Sequence, residues 1–164
     1  MQVLNLPVRR RIAIVDGTVP ESASARWAGV VAVPRGEALR LVDARTWRTL
    51  ADVPLGGTVT RVRAHNGSPH AWVVVRGAAD AGDRLLRFDR GRQRASGEVA
   101  LPAHARVVDV AFAAAGAEVL VLLDGPEPGL VRVDAGTLAP KGRLALSAPT
   151  ALAVPAQRRT ATSK

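Results

Sequence analysis

The chain has 164 residues, 48% of them hydrophobic, and a net charge of +9 carried almost wholly by arginine. That length is one domain's worth and buries a real core, and the apolar share excludes a disordered polymer. The absence of cysteine excludes disulfides, zinc–thiolate and iron–sulfur sites and Cys-x-x-Cys-His haem attachment, and leaves the redox compartment open.

In chain order, residues 1–26 hold two short apolar runs, Val3–Leu6 and Ile12–Val15, and then a polar loop. Residues 27–57 read as a partial blade. Its strands are Gly29–Val33, Leu39–Asp43 and Trp47–Leu55, with turns at Pro34-Arg35-Gly36 and Ala44-Arg45-Thr46. Residues 58–103 read as a complete four-stranded unit: Val59–Ala64, Ala71–Arg76, Leu85–Asp89 and Gly97–Leu101. Residues 104–148 repeat it as Val107–Ala113, Val119–Leu123, Leu130–Asp134 and Gly142–Leu146. A closing strand is expected within 149–155 and a disordered basic tail at 156–164.

The third strands end Arg40-Leu-Val-Asp43, Arg87-Phe-Asp89 and Arg132-Val-Asp134, so the aspartates stand 46 and then 45 residues apart. Asp43-Ala-Arg-Thr46 recurs as Asp134-Ala-Gly-Thr137, and Val62 recurs 48 residues on as Val110. A period near 45 built from four short strands is the signature of a β-propeller blade. Helical repeats are disfavoured because Pro and Gly interrupt the chain about every ten residues. The expected fold is therefore all-β, a partial β-propeller of about three four-stranded antiparallel blades. Closed propellers use about four to eight blades, so the partner this predicts is the rest of a propeller or another chain.

Several residues are candidates for chemistry. His65 ends a first strand, which in a propeller lines the central channel; it is either a turn histidine beside Asn66-Gly67 or a residue of the channel mouth. Arg61, Arg63 and Arg106 lie on or just before first strands. They are either solvated or face the channel, where guanidinium groups suit carboxylates or oxyanions. The third-strand aspartates start turns. His70 and His104 read as surface residues, and three histidines without paired carboxylate spacing predict no metal site. Ser68 and Ser96 lack a nucleophile-elbow context, and Gly56-Gly57 precedes no helix, so neither is a catalytic nor a phosphate motif.

The arginine excess favours anionic partners or reflects the codon usage of a GC-rich genome. Aromatic residues are only 3%, too few for base-stacking platforms, so no nucleic acid is expected. No apolar run reaches the roughly 18 residues of a membrane helix, and no membrane association is expected. Met1–Val8 is too short for a signal peptide and its arginine run follows it. As written the chain reads as cytoplasmic, and as periplasmic if cut from a longer secreted precursor.

A family resemblance adds to this. Trp47–Gly57, Val62-Arg-Ala-His65, Asn66–Pro69 and His70-Ala-Trp-Val73 resemble late blades of the haem d1 domain of cytochrome cd-type nitrite reductases and related haem d1 biosynthesis propellers. Ala105–Val108 with Gly116–Val119 resembles the next blade; Leu130–Asp134, Gly136–Leu138 and Pro149-Thr150 resemble the closing segment. The resemblance implies an eight-bladed propeller with haem d1 in its channel, reducing nitrite to nitric oxide, and makes this chain its C-terminal portion. By position His65 resembles a distal histidine that supplies protons, and Arg63 and Arg106 become candidates for holding the cofactor. The sequence departs from the family in several ways. The second distal histidine falls near Ala23, the axial iron ligand falls upstream of Met1, Asp109 replaces a Gln, and the cytochrome c domain is missing. The resemblance thus implies a fragment inactive alone. The alternative is a non-enzymatic repeat-propeller scaffold for protein interaction.

Overall fold

The computed structural model describes residues 2–5, 10–14, 25–27, 29–65, 68–78 and 80–152, with side chains described from residue 29 onward. Fourteen strands and one 3-10 turn, Ala114–Gly116, make up the regular structure of the described residues. β1 (Gln2–Asn5) and β2 (Arg10–Ile14) pair antiparallel as a two-stranded sheet.

Three four-stranded antiparallel meanders follow. The first blade is β3 (Ala25–Trp27), β4 (Val30–Arg35), β5 (Ala38–Asp43) and β6 (Thr49–Pro54). The second is β7 (Thr58–Ala64), β8 (His70–Arg76), β9 (Asp83–Asp89) and β10 (Arg94–Val99). The third is β11 (Arg106–Ala113), β12 (Glu118–Asp124), β13 (Gly129–Asp134) and β14 (Pro140–Ala145). Sequential hairpins in three stacked sheets are the architecture of a partial β-propeller.

The core lies between blades. Strand β8 is apolar on both faces, as a sheet covered on both sides requires. Ala71, Val73 and Val75 pack with Ala32, Leu39 and Leu41 of the first blade. Trp72 and Val74 point the other way, onto Val119, Val121 and Val133 of the third. The outermost strands are wet, and every residue of β14 is exposed.

The boundaries shift by up to three residues in the fourth strands, β10 and β14, and differ from the sequence expectation in substance at three further points. The first blade is a complete sheet, because β3 adds a strand beginning at Ala25. Three residues folded onto β4 beside Gly29, whose φ is +84°, are too short to show an alternating pattern. Trp47 lies outside β6, in a turn with φ 59°. Residues 149–152 form no strand. Positions 153–155 and the expected tail at 156–164 lie outside the described residues.

The repeated aspartates are turn makers. Asp43 Oδ1 accepts from the N–H groups of Arg45 and Thr46 and from the Thr46 hydroxyl. Asp134 Oδ1 accepts from Gly136, Thr137 and the Thr137 hydroxyl in the same way. The residue four positions after each aspartate, Trp47, Gln93 and Leu138, has a left-handed φ. The Thr46 N–H holds Asp43, the Arg92 N–H holds Asp89, and the Lys141 ammonium holds Asp134 below the ordinary carboxylate value near 3.8. Folded values below the unfolded one mean that the stabilisation is complete above about pH 4 and is lost as the pH falls further. The urea midpoint should therefore begin to drop below about pH 4, and Asp134→Asn should flatten that acid limb.

Candidate functional site

The candidate site begins with two β-bulges. The register slips between Val59 and Arg61 in β7 and between Val107 and Asp109 in β11, at equivalent points of neighbouring blades. A bulge re-aims the residues after it. Val59 and Val62 can then both enter one core although three residues apart. Arg61 and Arg63 are left to point toward the third blade, and the matching bulge in β11 presents Asp109 to them. Arg61 donates to Asp109 at 2.5 Å and Arg63 at 3.2 Å. Burial acts to raise the Asp109 pKa, but the Val110 N–H and then the two guanidinium groups outweigh it and hold the carboxyl below its usual range.

His65 lies beyond the end of β7 on the same inner side. Its ring stands 5.7 Å from that of Phe112, at 55°. Its backbone carbonyl accepts from the Ser68 N–H at 2.9 Å, as the turn reading of this residue expects. Beneath the ring is Gly116, with φ +91°, where a Cβ would stand 2.7 Å from His65 Nδ1. Gly116→Ala should therefore cost about 1–2 kcal/mol through backbone strain and displace the imidazole. Comparing urea midpoints with the His65 NMR shifts checks both parts. The third blade has Ala113 at the position of His65, so the histidine belongs to one blade only.

Arg106 is placed elsewhere. It begins β11, about 20 Å along the strand from Phe112, and donates at 2.9 Å to Asp83, whose side chain is fully buried. The structure sets His65, Arg61 and Arg63 on the side of β7 that faces β11 and leaves Arg106 at the start of β11, at the other end of that strand from Phe112. Sequence reasoning missed Asp109 as the partner of the arginines and Asp83 as the partner of Arg106. The one signal for the first was the 48-residue repeat offset, which sets Arg61 opposite Asp109.

His70 donates its backbone N–H to Ser68 Oγ, and its Nδ1 is buried without a hydrogen-bond partner. Burial, and then the Arg87 charge, push its pKa down. His104 is exposed in the link before β11. Ser96 bonds Arg87 on both its donor and acceptor sides. Among the described residues no three His, Cys, Asp or Glu side chains converge as a metal site. None of the helices among them is long and apolar enough to cross a membrane.

The model of the cytochrome D1 heme domain matches residues 5–153. The chain belongs to the cytochrome D1 heme domain family. Among curated proteins none matches it. Solved structures similar to this D1 chain include the dihydro-heme d1 dehydrogenase NirN in complex with DHE, at 21% identity and TM-score 0.73 over 92% of this chain and 34% of that one. Hydrazine synthase of Kuenenia stuttgartiensis is similar at 13% identity and TM-score 0.75 over 88% and 42%. KlHsv2 with its loop 6CD replaced by a Gly-Ser linker follows at 10% and 0.55, over 78% and 40%. At these identities the likeness is one of fold. The D1 chain spans about a third to two fifths of the first two structures.

Proposed function

We propose that this chain is part of a haem d1-binding propeller and that the pigment meets it at the mouth where β7 and β11 end. The observation that carries the reading is the family match to residues 5–153 combined with a single histidine seated on Gly116 at that mouth. The residues fit such a pigment. The Arg61–Arg63–Asp109 cluster lies on the same strands as His65 and Phe112, and a planar guanidinium fork suits a tetrapyrrole carboxylate. Arg106 is committed to Asp83 and has no part in this reading.

Haem d1, when bound, supplies the redox-active iron. The chain's own contribution is narrower. Phe112 and Gly116 fix the plane of the His65 imidazole, a group that can pass a proton at the pigment face. Reduction of nitrite to nitric oxide consumes protons as one oxygen leaves as water, and such a group can deliver them. The axial ligand and a second distal histidine are not supplied by the described residues, so the chain alone should be inactive as a nitrite reductase. The rest of the propeller would complete the site.

Titrating purified protein with haem d1 tests this. A saturable change in the visible spectrum is expected, weakened about tenfold or more in His65→Ala. No spectral change, or one indifferent to His65, would leave the second reading, a propeller scaffold without pigment. What favours that second reading is Asp109, which already engages both guanidinium groups.

A further inference from the structure

His70 opens β8, and the seam between the second and third blades closes over part of it. Residues alternate along a strand, so His70 lies on the side of β8 that carries Trp72 and Val74 into that seam. Its Nδ1 is buried and has no hydrogen-bond partner. In a neutral imidazole with its proton on Nε2, Nδ1 is a bare acceptor. Protonation turns it into a donor on a charged ring, and a buried charged donor without an acceptor is far more costly.

The groups around His70 do not relieve that cost. On β9, Asp89 stands opposite His70 and Arg87 opposite Trp72. Asp89 Oδ1 accepts from the Arg92 N–H of its own turn. Arg87 is fixed by Ser96 and by the Ala135 and Gly136 carbonyls of the third blade, so its positive charge stays beside His70. On β7, Arg63 stands opposite Trp72 and donates to Asp109, and His65 follows two residues on. On β10, Arg94 stands opposite Asp89. The third-blade side chains in this seam, Val119, Val121 and Val133 with Phe112, are apolar. Burial, and then Arg87, outweigh Asp89 and keep the His70 pKa below 6.5.

The backbone couples this histidine to His65. The His70 N–H is held by Ser68 Oγ, and the Ser68 N–H by the His65 carbonyl. The Arg90 N–H reaches the Pro69 carbonyl. Opening around His70 therefore loosens the turn that seats His65 against Gly116.

We propose that His70 is an acid-released latch on the turn between β7 and β8. Neutral, it lets the turn close against the third blade; protonated, it opens the turn and unseats His65. The latch belongs to the protein alone and works with or without a pigment.

Amide hydrogen exchange of the whole chain between pH 7 and pH 5, corrected for the intrinsic rate at each pH, tests it. A histidine protonated only in the open form makes opening about tenfold more frequent for each pH unit below 6.5, until its folded pKa is reached. That acceleration is expected in peptides covering residues 61–72 and 112–118. It should vanish in His70→Phe and persist in His65→Gln. If the phenylalanine variant does not fold, His70→Gln removes the titration with a smaller polar side chain and should also abolish the acceleration. Exchange independent of pH in this range, acceleration that survives in the His70 variants, or acceleration lost in His65→Gln would overturn the proposal.

Discussion

Trp72→Ala should cost about 3–5 kcal/mol, a large share of the stability of a chain of this size. Trp72 is 1% exposed and forms the seam between the second and third blades with Val74, Leu85, Val119 and Val121. Truncation removes the indole's burial and leaves a void that flat sheets cannot close, because their hydrogen-bond ladders hold the spacing. Domains of this size are stable by only about 5–15 kcal/mol, so the variant should populate unfolded forms before denaturant is added. Trp72→Phe keeps most of the volume and should lose about 1–2 kcal/mol. Urea unfolding followed by far-ultraviolet circular dichroism separates the two, and equal midpoints would contradict the seam.

Asp83→Ala should cost about 2–3 kcal/mol by a different route. Asp83 is the only buried charged residue among those described, at 6% exposure. Its carboxylate accepts from the Val107 N–H at 3.0 Å and from Arg106 at 2.9 Å. Its own N–H reaches the Ala105 carbonyl at 2.7 Å. This single residue thus ties the start of β9 to the link that starts the third blade. Alanine leaves the Val107 N–H buried without an acceptor. Arg106→Ala should cost less, because the arginine side chain is 34% exposed and water takes over part of its charge. The order Asp83→Ala more severe than Arg106→Ala, read from thermal midpoints, checks the assignment.

The blades were legible because their signals are local. The Asp-x-x-Thr turns, the period near 45 and the doubly apolar β8 are each contained in a few consecutive residues. β3 escaped notice because three residues carry no period. The expected closing strand is absent at 149–152, because apolar composition alone does not supply a neighbouring strand to pair with. The site was legible only in part. His65 could be placed at a strand end from sequence, but its seat is Gly116, 51 residues away, and no local pattern reports a contact across blades. Arg61, Arg63 and Arg106 looked alike in sequence. Two bulges send the first two to Asp109, and the strand's other end sends the third to Asp83. A bulge inserts one residue without a sequence marker here, so the direction of those side chains could not be read beforehand.

The central claim is that pigment meets this chain where β7 and β11 end. Hydrogen exchange of the whole chain with and without haem d1, resolved by peptide, tests it most directly. Slowed exchange confined to residues 61–68 and 109–117 is the result expected. Protection on the outer strands β6, β10 or β14 instead, or no protection under saturating haem d1, would contradict it.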